Sequence, residues 1–89
     1  MTEGKGQYFS SKDFGLRVKE LRKQRNMTQK ELSDRLDMDD GSLRRIEAGR
    51  TNPTLETINK ICKAFNTPVW TLFAPTQINN EIPSSAKTK

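Results

Sequence analysis

The stretch Thr28–Thr57 reads TQKELSDRLDMDDGSLRRIEAGRTNPTLET and decides the fold. At its start, Thr28 and Glu31 have the spacing of a capping box, in which a hydroxyl and a carboxylate each accept from a backbone amide of the other residue. Leu32 follows on the face that would turn towards a core. These features predict a short helix over about residues 29–36.

A second short helix is predicted only about three residues later. Asp37-Met38 is typical of a tight turn, and Asp39 is an N-cap residue type directly before the helix. Leu43 marks the inward face of a helix over about residues 40–48. Gly49 then lies where a helix C-terminus favours a left-handed residue.

Two helices this close together need a small residue at their contact. Ser33 occupies that position, one turn into the first of the two helices. The pattern is that of a helix-turn-helix, in which the second helix is offered to the major groove of DNA.

The flanking sequence predicts three more helices and no strand. Phe14, Val18 and Leu21 follow at helical spacing and favour a first helix over about residues 12–25. A fourth helix is expected after Asn52-Pro53-Thr54, and a short fifth after Thr67-Pro68. The fold class is therefore all-α with five helices. The apolar residues assigned to the last two are Leu55, Ile58, Ile61, Cys62, Phe65, Val69, Trp70, Leu72 and Phe73.

Composition narrows the function. The chain has 89 residues, a formal net charge of +5, one cysteine and no histidine. A single thiol and no histidine disfavour an internal disulfide, a zinc site and a Ser-His-Asp triad. We expect one soluble, cytoplasmic domain over residues 12–74, with flexible tails at 1–11 and 75–89. No cofactor, metal or membrane partner is expected, and the positive charge makes a polyanion the first partner to consider.

The segments TQKELS (28–33), SLRRIEAGR (42–50) and NPTLET (52–57), at this separation, resemble the Cro and C1 repressor type of helix-turn-helix. This is also called the xenobiotic response element family, and the similarity runs from about 14 to 73. The resemblance implies a compact, five-helix, lambda-repressor-like DNA-binding domain. It further implies a transcriptional regulator, in most cases a repressor, that binds double-stranded DNA as a homodimer on a palindromic operator.

The resemblance also assigns residues. Arg44 and Arg45 are the best base readers, because a guanidinium can bond guanine bidentately. Asp40 would repel phosphates unless it accepts from a cytosine amino group, and Gly41 offers no side chain. Arg22 and Glu47 match an internal ion pair. The full DNA-binding set is Gln29, Asp40, Gly41, Ser42, Arg44, Arg45, Arg50, Asn52 and Thr54.

A dimer surface is expected on the last two helices, since they carry more apolar surface than a small monomer leaves exposed. Its residues are Phe65, Val69, Trp70, Leu72 and Phe73. Two alternatives stay open: an antitoxin that also binds a toxin protein, and an interaction module that has lost DNA binding. An enzyme is least favoured, because the sequence has no phosphate loop, metal-ligand set or nucleophile-base pair.

Overall fold

The structure is a computed structural model and describes residues 8–75. It confirms the all-α prediction: no strand occurs within this part of the chain. The five helices are α1 (Ser11–Gln24), α2 (Gln29–Arg35), α3 (Asp40–Glu47), α4 (Leu55–Phe65) and α5 (Val69–Leu72). Helix α1 packs against α3 and α5, α2 packs against α3, and α4 packs against α5.

Side chains cap the first four helices, as local sequence predicts for α2 and α3. The Glu31 amide donates to the Thr28 hydroxyl at 3.0 Å, and the Thr28 amide donates to Glu31 Oε1 at 2.8 Å. The Ser42 amide donates to Asp39 at 3.1 Å. Each cap satisfies a backbone donor that has no partner inside its helix.

Helix α1 begins earlier than expected. Ser10 caps it through a reciprocal capping box with Asp13, and Ser11 is its first residue. One residue of the expected N-terminal tail, Ser11, therefore belongs to the helix, and Ser10 serves as its cap. Of the expected tails, residues 1–7 and 76–89 lie outside the described residues.

The turns use left-handed residues. Asp37 has φ 57° in the tight turn between α2 and α3, and Gly49 has φ 76° just after α3. Glycine is required at 49 for a second reason: a Cβ there would lie 2.6 Å from the Lys12 Cα atom. Position 49 therefore also sets how closely the end of α3 approaches α1.

Gly15 brings α1 directly onto the backbone of α3. A Cβ at this position would overlap the Ile46 carbonyl oxygen and lie 2.7 Å from the Glu47 carbonyl oxygen. Real Cβ atoms do not approach backbone this closely, so any side chain at 15 forces the two helices apart.

A single core joins the helices. Two expectations for the dimer surface are wrong here, because Phe65 is 3% exposed and Leu72 is fully buried where α5 packs on α1 and α4. Leu55, by contrast, is 72% exposed at the start of α4 and is not part of the apolar face. The core residues are Phe14, Val18, Leu21, Leu32, Leu36, Leu43, Ile46, Ile61, Phe65 and Leu72.

Candidate nucleic-acid interface

The turn between α2 and α3 is fixed by one short hydrogen bond. Ser33 is completely buried, and its hydroxyl donates to Asp40 Oδ1 at 2.7 Å, with the Lys30 carbonyl oxygen 3.0 Å away. The small side chain thus does more than leave room for close packing. It binds the first residue of α3, so the Asp40 carboxylate is engaged inside the protein.

Asp39 holds the N-terminus of α3 together with Ser42. The Ser42 hydroxyl donates to Asp39 Oδ1 at 2.8 Å, and the Ser42 amide donates to Asp39 Oδ2. These two hydrogen bonds, the hydroxyl's first, hold the pKa of Asp39 below its ordinary value, with a smaller contribution from the Arg45 charge. The Asp39 carboxylate is therefore anionic and committed to the cap at neutral pH.

The arginines of α3 stand on its solvent side. Arg44 and Arg45 are both exposed, and their guanidinium groups fold back over the helix beside Gly41. Arg45 Nη2 lies 3.4 Å from the Ser42 hydroxyl oxygen. Within residues 8–75, Arg44 makes no hydrogen bond or ion pair.

A shallow groove of about 410 Å³ runs beside this face of α3. It gathers Gln29, Gly41, Arg44, Arg45 and Arg50 of the predicted DNA-binding set. Lys19 of α1 adds a fourth cation that sequence reasoning missed. The spacing of seven residues between Lys12 and Lys19 could have indicated this role, because it places both lysines on one face of α1. Lys12 on that face contacts Gly49 at the end of α3.

A buried network fixes the wall of this groove. Arg22 donates to both oxygens of Glu47, through Nε at 2.7 Å and Nη2 at 3.1 Å, and to the Met27 carbonyl oxygen at 2.7 Å. Gln29 Nε2 donates to Glu47 Oε1 at 3.0 Å. The expected internal pair is thus present, and it also orients the Gln29 side chain at the start of α2.

A second, smaller depression of about 230 Å³ lies on the other side of Arg45. It brings together Ser42, Asn52 and Thr54, but all three side chains already have partners, Ser42 through its hydrogen bond to Asp39. The Thr54 hydroxyl accepts from the Thr57 amide at 3.1 Å as the cap of α4, and the Ser11 hydroxyl donates to the side-chain oxygen of Asn52. Asp40 lines neither depression.

An apolar surface lies on α5 and the residues just before α1. Val69, Trp70 and Phe73 are 45%, 72% and 42% exposed. Phe9, which we expected in a tail, packs its ring 5.2 Å from the Phe73 ring, and Phe14 lies 5.6 Å from the same ring. The contact joins residues 64 positions apart, so no local pattern could predict it.

Metal-holding clusters and membrane-spanning helices are both absent among residues 8–75. Within them, no group of three or more carboxylate, cysteine or histidine residues is arranged to hold a metal ion. No helix there is both long enough and apolar enough to span a bilayer.

Known proteins share this architecture and sequence. The family model for helix-turn-helix proteins matches residues 18–69, more than half of the chain. An uncharacterized HTH-type transcriptional regulator from Archaeoglobus fulgidus is 37% identical over 57 residues, which cover 64% of this chain and 80% of that protein.

Solved structures agree. The restriction-modification controller protein C.AhdI from Aeromonas hydrophila superposes with a TM-score of 0.69 at 28% identity, covering 71% of this chain and 96% of that one. The master regulator for biofilm formation SinR, solved in complex with DNA, superposes with a TM-score of 0.64 at 27% identity. That match covers 68% of this chain and 98% of SinR.

Proposed function

The chain belongs to the Cro/C1-type helix-turn-helix family of DNA-binding transcriptional regulators, and from this premise we propose that it is a repressor. In this proposal it binds a palindromic operator as a homodimer and inserts α3 into the major groove. Its place of action is the cytoplasm, with the DNA it controls.

One observation carries the proposal: cations without an ion-pair partner in residues 8–75 are concentrated on the solvent side of a helix that is fixed at its first residue by Ser33 and at its last by Arg22. Arg44 and Arg45 project from α3, with Arg50 and Lys19 along the same groove. Nearby Glu47 does not cancel them, because the buried Arg22 already neutralises its charge. A helix with outward donors and a neutralised Glu47 is suited to meet phosphates and base edges.

The residues divide into two roles. Arg44 and Arg45 are assigned to base edges, because guanidinium groups match the acceptor pattern of guanine. Gln29, Arg50, Ser42, Asn52 and Thr54 are assigned to phosphates at the two ends of α3, where they fix the register of the helix in the groove. Asp40 leaves the DNA-binding set in this proposal, because its Oδ1 atom accepts from Ser33 and the residue lines neither depression beside α3.

The homodimer is assigned to the α5 surface, here defined as Phe9, Val69, Trp70 and Phe73. Four large apolar side chains exposed on so small a domain favour contact with a second copy. A symmetric pair of α3 helices would then reach two half-sites about one DNA turn, roughly 34 Å, apart.

The test is binding of the full chain to genomic DNA fragments over a range of salt concentrations. We expect retention at low salt and a log–log slope of about −0.9 for each phosphate neutralised. Arg44→Ala and Arg50→Ala are expected to weaken binding, whereas Arg35→Ala, an exposed arginine at the end of α2, serves as the control. A flat salt response in the wild type would contradict the proposal.

The antitoxin alternative predicts a protein partner that changes DNA binding. An antitoxin would copurify with a small protein at fixed stoichiometry and bind DNA more tightly with it than without it. If the chain binds its operator alone, and if the proteins encoded by neighbouring genes do not change its affinity, the result supports the simple repressor.

A further inference from the structure

We propose that each operator half-site carries two guanines, on base pairs no more than two steps apart, which Arg44 and Arg45 read together across the space left open by Gly41. The inference rests on the proposed function, because it names the bases that the same face would select. It also gives Gly41 a positive role: the missing side chain determines specificity.

Helix geometry places the three residues together. In an α-helix the Cα–Cβ bonds tilt towards the N-terminus, so side chains at i+3 and i+4 lie over residue i. Gly41 is residue i, and Arg44 and Arg45 are i+3 and i+4. Both arginines therefore reach towards the N-terminal half of α3, the part from which recognition helices contact base edges.

The distances show that the missing side chain of Gly41 leaves the space in which the two guanidinium groups lie. A Cβ on Gly41 would lie 3.6 Å from Arg45 Nη1 and 3.8 Å from Arg44 Nη2, in ordinary van der Waals contact with both. Atoms beyond a Cβ would compete with the guanidinium groups for this volume. A longer side chain at 41 would therefore push at least one of the two arginines away.

The same distances limit how far apart the guanidinium groups are. Both nitrogens lie close to one point, so their separation is no larger than the sum of the two distances. Base pairs stack about 3.4 Å apart along the helix axis. The separation of these two nitrogens, Arg44 Nη2 and Arg45 Nη1, thus corresponds to at most about two base-pair steps.

The chemistry of this face favours guanine. An arginine presents only donors, and guanine is the base whose major-groove edge presents two acceptors, O6 and N7. Arg44 has no hydrogen bond or ion pair within residues 8–75, and Arg45 has the long contact to Ser42 and an electrostatic interaction with Asp39. The two acids at this end of α3 already accept hydrogen bonds inside the protein, Asp39 from Ser42 and Asp40, through Oδ1, from Ser33.

Asp39 supports the arrangement. Its Oδ2 atom lies 3.1 Å from the same Cβ position on Gly41, so a carboxylate borders the space that the guanidinium groups occupy. The Arg45 charge in turn makes the smallest of the contributions that lower the pKa of Asp39. Asp39 thus caps α3 and also lies beside the space that the Arg45 guanidinium occupies.

The test is selection from duplexes with randomised bases, followed by sequencing, using the full chain and three variants. The wild type is expected to enrich guanine at two positions per half-site. Arg44→Lys and Arg45→Lys keep the charge but lose the bidentate fork, so each is expected to lose about 5- to 150-fold of the preference at one of the two positions. Gly41→Leu is expected to weaken both preferences.

Controls separate specificity from folding. Arg35→Lys makes the same chemical change at an exposed arginine outside the groove, and it should keep both preferences. Thermal unfolding of Gly41→Leu shows whether that variant is folded, and the two lysine variants carry the test if it is not. They should retain the salt-dependent binding of the wild type to arbitrary DNA.

The outcomes are distinguishable. If the wild type retains DNA without enriching guanine, or if both lysine variants enrich the same bases as the wild type, the guanine assignment is overturned while DNA binding stands. If the wild type retains no duplex at low salt, the proposed function itself fails.

Discussion

The α3 face and the α5 surface differ in how they are held. Helix α3 has a side-chain cap, a part-buried hydrogen bond at its first residue and a buried ion pair at its last. Helix α5 has four residues and no side-chain cap. It is held by its own buried Leu72, by the Phe9 and Phe14 rings against Phe73, and by Arg17, whose Nε donates to the Thr71 carbonyl oxygen at 2.8 Å.

The difference teaches that the two surfaces suit different partners. Recognition of base edges demands side chains fixed to within fractions of an ångström, because hydrogen bonds weaken steeply with misalignment. An apolar contact between two copies tolerates local adjustment, because burial of apolar area is not directional. The stability of the domain should therefore depend strongly on groups behind α3 and only weakly on the exposed residues of α5.

The largest effect is expected from Glu47→Ala. This change leaves Arg22 buried with only the Met27 carbonyl oxygen as an acceptor, and breaking a buried pair by removing one partner costs about 3–5 kcal/mol. Urea unfolding measures the loss. The matched control is Asp34→Ala, which removes the exposed pair with Lys30 at 3.5 Å and should cost about 0.5 kcal/mol or less. Equal losses in the two variants would refute the buried network.

The next effect is expected from Gly15→Ala. The new methyl group would overlap backbone oxygens of α3, so α1 and α3 must separate, at a cost of about 1–3 kcal/mol or more. Helix propensity works in the opposite direction by up to about 1 kcal/mol, so a stabilised variant would show that the close approach is absent. Denaturant unfolding of Leu16→Ala, a half-exposed neighbour on α1, provides the comparison.

A smaller effect on stability, but a large one on assembly, is expected from Trp70→Glu. The side chain is 72% exposed, so the free energy of unfolding should change by only about 0.5 kcal/mol. A carboxylate in the centre of an apolar contact should shift the dimer towards monomer by tenfold or more. Sedimentation equilibrium measures the shift. A wild type that stays monomeric at high concentration would contradict the assignment of the homodimer to the α5 surface.

The smallest effect concerns pH. Asp39 has a lowered pKa in the folded state, so its cap stabilises the domain above the pKa of the unfolded chain, about 3.9. That stabilisation declines as the pH falls and is lost once the pH drops below the lowered native pKa. NMR titration of the Asp39 carboxyl measures the value directly. Ser42→Ala removes the hydroxyl donor and should raise the pKa of Asp39, whereas an unchanged value would contradict the cap.

Local chemistry made much of the fold predictable. The caps at Thr28 and Asp39 and the left-handed turn at Asp37 follow from residue types a few positions apart, and each is present. Residues whose roles depend on distant contacts were harder to assign. The burial of Leu72 depends on how α5 lies on the rest of the domain, which no periodicity within four residues can specify.

The candidate site shows the same division. Arg44 and Arg45 were identified from their positions in the motif, and the structure adds that both fold towards Gly41. The hydrogen bond between Ser33 and Asp40 could not be predicted from either residue alone, because the two lie across the turn on different helices. A sequence pattern gives the positions of polar groups along a helix, but not which of them already have a partner in the folded chain.

The stoichiometry of the protein on its selected operator tests the central claim most directly. Native mass spectrometry of the full chain with a duplex containing both half-sites should give two chains per duplex. A duplex with one half-site should bind one chain more weakly. A single chain on the complete operator, or equal affinity for whole and half operators, would contradict a two-fold reader built from the α3 face and the α5 surface.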